Sequence, residues 1–221
     1  MIKYELMNRL WYFILISVFL FSCAQGREKQ EEKGSHQEQA EQKQEGSSQS
    51  NNGKEQNGEE QDGEERDVEA DIRASTLIAE GEAVPDFIFT TTRGKQYSME
   101  GLKGKVVLLN FFATWCPTCM KEMPALQEQV WGKYKERDDF MLVSIGREQD
   151  MQKMKDFKAE KGYGFHFAPD TGRVIYGLFA EKYIPRNVVV NEQGTIVYQG
   201  TGYDEQEFAD MLQLIERELA D

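Results

Sequence analysis

A chain of 221 residues carrying a net charge of −13 can form one large domain or two small ones, and its acidity argues against a nucleic-acid partner. Composition excludes the second domain: residues 24–67 hold no Val, Ile, Leu, Met or aromatic residue and, with 13 acidic and 6 basic side chains, supply −7 of that charge. Such a stretch cannot bury enough apolar surface to offset its chain entropy, so the acidity belongs to a solvated linker and says little about any substrate.

In chain order, the first segment is a targeting signal. Lys3 and Arg9, with Glu5 between them, precede a 12-residue apolar run, Leu10 to Phe21, broken only by Ser17. That run is too short to span a bilayer and suits the apolar region of a signal peptide. It ends in Leu20-Phe21-Ser22-Cys23, which resembles a bacterial lipobox, with an aliphatic residue at −3, a small one at −1 and the cysteine that takes the lipid. The resemblance implies a signal peptide over 1–22, a lipidated Cys23 and a domain held at the membrane in the cell envelope, on the periplasmic side. An uncleaved anchor with an incidental cysteine is the alternative, and it also leaves the domain outside the cytoplasm. The linker is expected to be disordered through residue 82. As a coil, residues 24–67 would have a root-mean-square reach of roughly 35–40 Å.

The core-forming region is expected over 83–221, a comfortable single domain. Ala83 to Phe89 alternates apolar residues, and Thr91-Thr92-Arg93-Gly94-Lys95 reads as a turn, so residues 87–98 predict a hairpin. Lys105 to Phe112 is nearly all apolar, as a strand buried on both faces would be. It runs into Trp115-Cys116-Pro117-Thr118-Cys119, and an amphipathic stretch follows, Met120 to Lys135. Pro117 falls near the first helical position, where its missing N–H costs nothing, and Pro124 predicts a kink near the second turn. Further on, the pattern predicts a strand over 140–145, a helix over 150–161 carrying Met151, Met154 and Phe157, and a short helix over 173–180. A hairpin of 187–191 with 195–199 turns around Glu192-Gln193-Gly194, and a terminal helix over 205–219 has Phe208, Met211, Leu212 and Ile215 on one face.

A strand that delivers two cysteines to the first turn of a helix favours a thiolate there, because free backbone N–H groups and the helix dipole stabilise negative charge. With Cys23 lipidated, Cys116 and Cys119 are the only pair left, and a lone pair in an exported chain points to chemistry rather than scaffolding. Structural zinc needs four ligands, and the histidines are only His36, in the linker, and His166, so no metal is expected.

The order of elements and three motifs resemble the thioredoxin superfamily, and within it the TlpA/ResA group of thiol–disulfide oxidoreductases. Asn110-Phe111-Phe112-Ala113-Thr114-Trp115-Cys116-Pro117-Thr118-Cys119 is similar to the active-site strand and loop, with Asn110 where cytoplasmic thioredoxins have a buried aspartate. Glu122, before Met123-Pro124, is similar to the glutamate that marks the group. Tyr183-Ile184-Pro185, followed by Val188 to Gly194, resembles the cis-proline loop and its hairpin, although Arg186 stands where relatives usually have threonine. The resemblance covers residues 83–219. It implies an α/β, thioredoxin-like fold, with a central mixed sheet flanked by helices and an extra N-terminal β-hairpin.

The roles follow. Exchange needs one accessible thiolate to attack and one shielded thiol to resolve. Cys116 is expected to attack and Cys119 to resolve, the two forming the redox disulfide with no other cofactor. Glu122, one helical turn after Cys119, is expected to take its proton; the alternative is a surface residue. Trp115, Pro117 and Thr118 would shape the substrate surface. Pro185 in cis would set the Ile184 backbone beside Cys116 for strand-like pairing with a peptide. Arg186 reads as solvated and His166 as a packing or surface residue. The resemblance implies disulfide-containing envelope proteins as substrates, apocytochromes among them, and a membrane thiol donor. A thiol peroxidase would need a threonine three residues before the attacking cysteine and a proline seven before, where this chain has Ala113 and Leu109. A redox-inert binding module would not need the intact cysteine pair with its glutamate.

Overall fold

The computed structural model describes residues 57–220. The signal segment, Cys23 and the linker as far as residue 56 lie outside the described residues. The first element, α1 (Asn57–Ala74), falls where a disordered linker was expected, and corrects that expectation from residue 57 onward. Glutamate-rich sequence is compatible with helix when something docks it. Here the Asp71 carboxylate accepts a hydrogen bond from Lys182 Nζ at 3.1 Å and another from the Tyr183 hydroxyl. The Ser75 and Thr76 hydroxyls donate back to the Ile72 carbonyl at 3.0 and 2.8 Å, ending the helix. Thr76 then bridges Ala180, and Ala83 bridges Thr195, so the folded chain begins before residue 83.

The expected hairpin is a separate two-stranded sheet, β1 (Ile88–Thr90) against β2 (Gln96–Ser98), turning at Gly94 with φ +80°. A backbone bond from Thr92 N–H to the Phe167 carbonyl, 2.8 Å, ties it to the main sheet. After it come β3 (Val106–Phe112), α2 (Pro117–Ala125), β4 (Phe140–Arg147), α3 (Met151–Lys161), β5 (His166–Asp170), β6 (Arg186–Val190), β7 (Ile196–Thr201) and α4 (Glu205–Glu218). Where a short helix was expected over 173–180 there is a single 3-10 turn, Tyr176–Leu178. The five main strands are ordered β5-β4-β3-β6-β7, with β3 at the centre; β5, β4 and β3 are parallel, β6 alone runs against them, and β7, antiparallel to β6, again runs with the first three.

Strand alternation sorts the core into two layers. Val106, Leu108 and Phe112 of β3 face α2, α3 and α4 through Cys119, Met123, Met154, Phe157, Phe208 and Met211. Val107, Leu109 and Phe111 face the other way, onto Phe87 and Phe89 of the hairpin region and onto Tyr176 and Phe179. Asn110 shares the parity of Leu108 and Phe112, so the one polar residue of this strand points at α2. That single consequence of the two-residue period positions the site.

Candidate active site

The strand β3 ends at Phe112, and five residues later the chain enters α2. Cys116 is the N-cap of that helix, at φ −86° and ψ 112°, and Pro117 occupies its first turn. Cys116 and Cys119 are joined as a disulfide with Cα atoms 5.3 Å apart. The Cys119 N–H donates to Cys116 Sγ at 3.2 Å. That donor, with the helix N-terminus behind it, stabilises a negative charge on the same sulfur once the pair is reduced. Both cysteines are buried, Cys116 with 5 % of its surface exposed and Cys119 with none. Around them Pro117 and Thr118 are exposed, and the Trp115 indole, 62 % exposed, stands at the surface beside the disulfide.

The second wall is the loop before β6. The Ile184–Pro185 peptide is cis, and the Ile184 carbonyl oxygen lies 3.7 Å from Cys116 Sγ. Pro185 is buried and Ile184 half-buried, so backbone rather than side chain faces the sulfur.

Glu122 is 0 % exposed, which rules out the surface-residue alternative. It lies one turn after Cys119 on α2, and both side chains belong to the layer between α2 and the sheet. Its carboxylate accepts from Asn110 Nδ2 at 2.8 Å through Oε2 and from Asn187 Nδ2 through Oε1. Burial pushes its pKa up, from 4.5 to about 7, against the opposing pull of the Asn187 and Asn110 hydrogen bonds. A carboxyl that ionises near neutrality, next to a buried thiol, is suited to accept that thiol's proton.

Reading the sequence left two members of this cluster unassigned. Ser144 sits opposite Asn110 on β4, and Asn187 sits opposite it on β6. All three side chains are buried. The signal was present as a polar residue inside each of three apolar strand runs, but its meaning needed the register. Arg186 corrects the solvated reading. It is 1 % exposed, because the alternation that turns Asn187 to α2 turns Arg186 to the opposite layer with Val188 and Val190; its Nη1 donates to Thr76 Oγ1 at 3.2 Å. His166 packs edge-on against Tyr97 and Trp131, and burial together with Arg93, Lys158 and Lys95 lowers its pKa to about 4. Among the described residues no group of three or more His, Cys, Asp or Glu side chains is arranged to hold a metal ion.

Comparison with known proteins identifies the family. A family model described as Redoxin matches residues 79–215. The thiol–disulfide oxidoreductase ResA of Bacillus thuringiensis (strain Al Hakam) is 35 % identical over 122 residues, which are 55 % of this chain and 69 % of that protein. ResA of Bacillus subtilis (strain 168) is 30 % identical over 125 residues, 57 % of this chain and 69 % of the relative. The solution structure of a Bacteroides thetaiotaomicron protein provisionally described as a protein disulfide isomerase superposes with a TM-score of 0.64 at 37 % identity. It covers 66 % of this chain and 94 % of its own.

Proposed function

The chain belongs to the Redoxin family as a TlpA/ResA-like thiol–disulfide oxidoreductase, and from that premise we propose that it works as a membrane-tethered reductant of disulfides in cell-envelope proteins. The reduced Cys116 thiolate attacks one sulfur of a substrate disulfide. That S–S bond breaks, one substrate thiolate leaves, and a mixed disulfide forms on Cys116. Glu122 takes the Cys119 proton, and the Cys119 thiolate attacks Cys116 Sγ. The second substrate thiolate leaves and the Cys116–Cys119 disulfide returns. Two electrons have passed to the substrate, so a dithiol donor must restore them; a membrane thiol transporter fits that need. Apocytochromes awaiting haem attachment are the substrate class that the family resemblance suggests.

The observation that carries this reading is the pairing of Cys116, 3.7 Å from the Ile184 carbonyl, with a Glu122 wholly buried one turn behind Cys119. An extended peptide paired with the Ile184 backbone would bring its cysteine to Cys116 and leave Cys119 shielded until the mixed disulfide forms. The test is dithiothreitol-driven insulin reduction, together with titration of the pair in a glutathione redox buffer. Insulin turnover with a potential below about −200 mV, on the reducing side of the isomerase range, supports it. Peroxide consumption without insulin reduction, or a potential near that of strong oxidants, would overturn it.

A further inference from the structure

Glu122 is held by a row of three side chains, one from each of three neighbouring strands. The register puts Ser144 of β4, Asn110 of β3 and Asn187 of β6 side by side on the face that meets α2. Their hydrogen bonds run in one direction. Ser144 Oγ–H donates to Asn110 Oδ1 at 2.9 Å. Asn110 Nδ2 donates to Asn187 Oδ1 at 2.9 Å and to Glu122 Oε2 at 2.8 Å. Asn187 Nδ2 donates to Glu122 Oε1. Turning the Asn110 amide over would set its oxygen against the Asn187 oxygen and the Glu122 carboxylate, three acceptors with no proton between them. Ser144 rewards the opposite orientation by donating to Oδ1. Each amide is therefore aimed by its neighbour, and both aim N–H groups at Glu122.

Among the described residues, no cationic side chain lines this site. The other titratable groups near Glu122 are Cys119 on its own helix, Tyr198 on β7, and Tyr203, Asp204 and Glu207 at the start of α4, which line a cavity of about 10 Å³ with Glu122 and Asn187. The two amides are thus the groups that favour the carboxylate form in an otherwise desolvated setting.

We propose that Ser144, Asn110 and Asn187 are positioning residues that keep Glu122 a carboxylate able to take the Cys119 proton, with Ser144 acting only through Asn110. The proposal deepens the reading of Glu122 as the base and rests on it. A purely structural row would hold the three strands together and leave the ionisation of Glu122 where it is.

The test follows the Glu122 carboxyl by carbon NMR across pH 4–10 in the full chain. The same variants are then examined, in a Cys116→Ser background, for the pH dependence of Cys119 alkylation. Asn187→Ala and Ser144→Ala should each move the Glu122 titration upward, Asn187→Ala by about one pH unit or more, since it removes a hydrogen bond to a charged group. Ser144→Ala, which touches no atom of Glu122, should move it less but in the same direction, and Ser144→Thr should restore it. The alkylation profile should move upward in parallel, and in Glu122→Gln it should lose that limb, with Asn187→Ala adding nothing further. An unmoved or lowered Glu122 titration in folded Asn187→Ala and Ser144→Ala proteins overturns the proposal. A moved titration with an alkylation profile indifferent to Glu122→Gln would instead reject Glu122 as the base while leaving the row's hold on it intact.

Discussion

At the scale of single residues, Glu122 sets a conflict between stability and chemistry. Its folded pKa, about 7, stands above the ordinary 4.5. The folded state therefore binds more protons than the unfolded one between those values, and the slope of unfolding free energy with pH is negative there. The contribution of this one group is most favourable below about pH 4.5, falls as pH rises through 7, and above that opposes folding by roughly 3 kcal/mol. Thermal unfolding of the wild-type oxidised domain should lose stability between pH 5 and pH 8, and Glu122→Gln should flatten that fall. Parallel curves for the two proteins would mean that Glu122 is not the titrating group. The same substitution should slow exchange most well above pH 7, where the wild-type carboxylate predominates. The proposed division of labour gives the attack to Cys116, the N-cap of α2, and the resolution to Cys119, one turn further in. Cys116→Ser should abolish disulfide reduction, whereas Cys119→Ser should attack but fail to resolve, so mixed disulfides with a test peptide should accumulate on Cys116. Mass spectrometry of the trapped species reads the outcome, and a peptide bound to Cys119 in the Cys116→Ser protein would reverse the assignment.

Among the elements, α2 is the one whose regularity breaks. Pro124 cannot donate to the Met120 carbonyl, and the α-helical segment ends at Ala125, giving way to a π-helical turn over Leu126–Trp131. Pro124 was expected to kink the helix; what the structure shows is a change of helix type just beyond it. The turn is pinned from outside, by Gly164 N–H donating to Gln127 Oε1 at 2.8 Å. A Cβ at Gly164 would lie 2.1 Å from Trp131 Nε1 and 2.8 Å from its Cδ1. Gly164→Ala should therefore drive the rigid indole away and cost about 1–3 kcal/mol, seen as a lower midpoint in denaturant with an unchanged slope. Because Trp131 lies a turn and more beyond Glu122, the potential of the disulfide should not move. The helix α1 makes a different point. A stretch with no apolar residue before Val68 holds a helix because Asp71 finds Lys182 and Tyr183, the residues that lead into the Ile184–Pro185 loop.

For the whole molecule, the proposed tether and the domain are separable. The site is assembled from α2, β3, β4 and β6, all within residues 106–190, so it does not need the chain before residue 57. Shortening the stretch between Cys23 and residue 56 should leave insulin reduction in solution unchanged and impair reduction of envelope substrates in cells, because it would withdraw the domain toward the membrane. The lipid itself is checked by mass spectrometry of the mature N-terminus. A diacylated Cys23 is expected, and an unmodified one refutes the lipoprotein reading without touching the chemistry at Cys116.

Local chemistry was legible in the sequence wherever a residue's meaning depends on its near neighbours. Cys116 at a helix mouth, Pro117 in the first turn, Glu122 one turn after Cys119 and the apolar strand feeding them are short-range facts. What depends on register was not legible. Asn110, Ser144 and Asn187 lie 34 and 77 residues apart in their pairings, and only strand pairing puts them in one row beneath Glu122. The burial of Arg186 rests on the same cause, since a two-residue period assigns it to the layer opposite Asn187. The docking of α1 depends on an Asp71 carboxylate meeting side chains 111 and 112 residues away. The sequence by itself pointed to the thiol chemistry, because a cysteine pair at a helix mouth is a matter of local backbone geometry, and to the class of fold through the resemblance its motifs carry. The tertiary structure alone decided which groups hold the base, because a buried carboxylate takes its proton affinity from whatever the sheet brings to it.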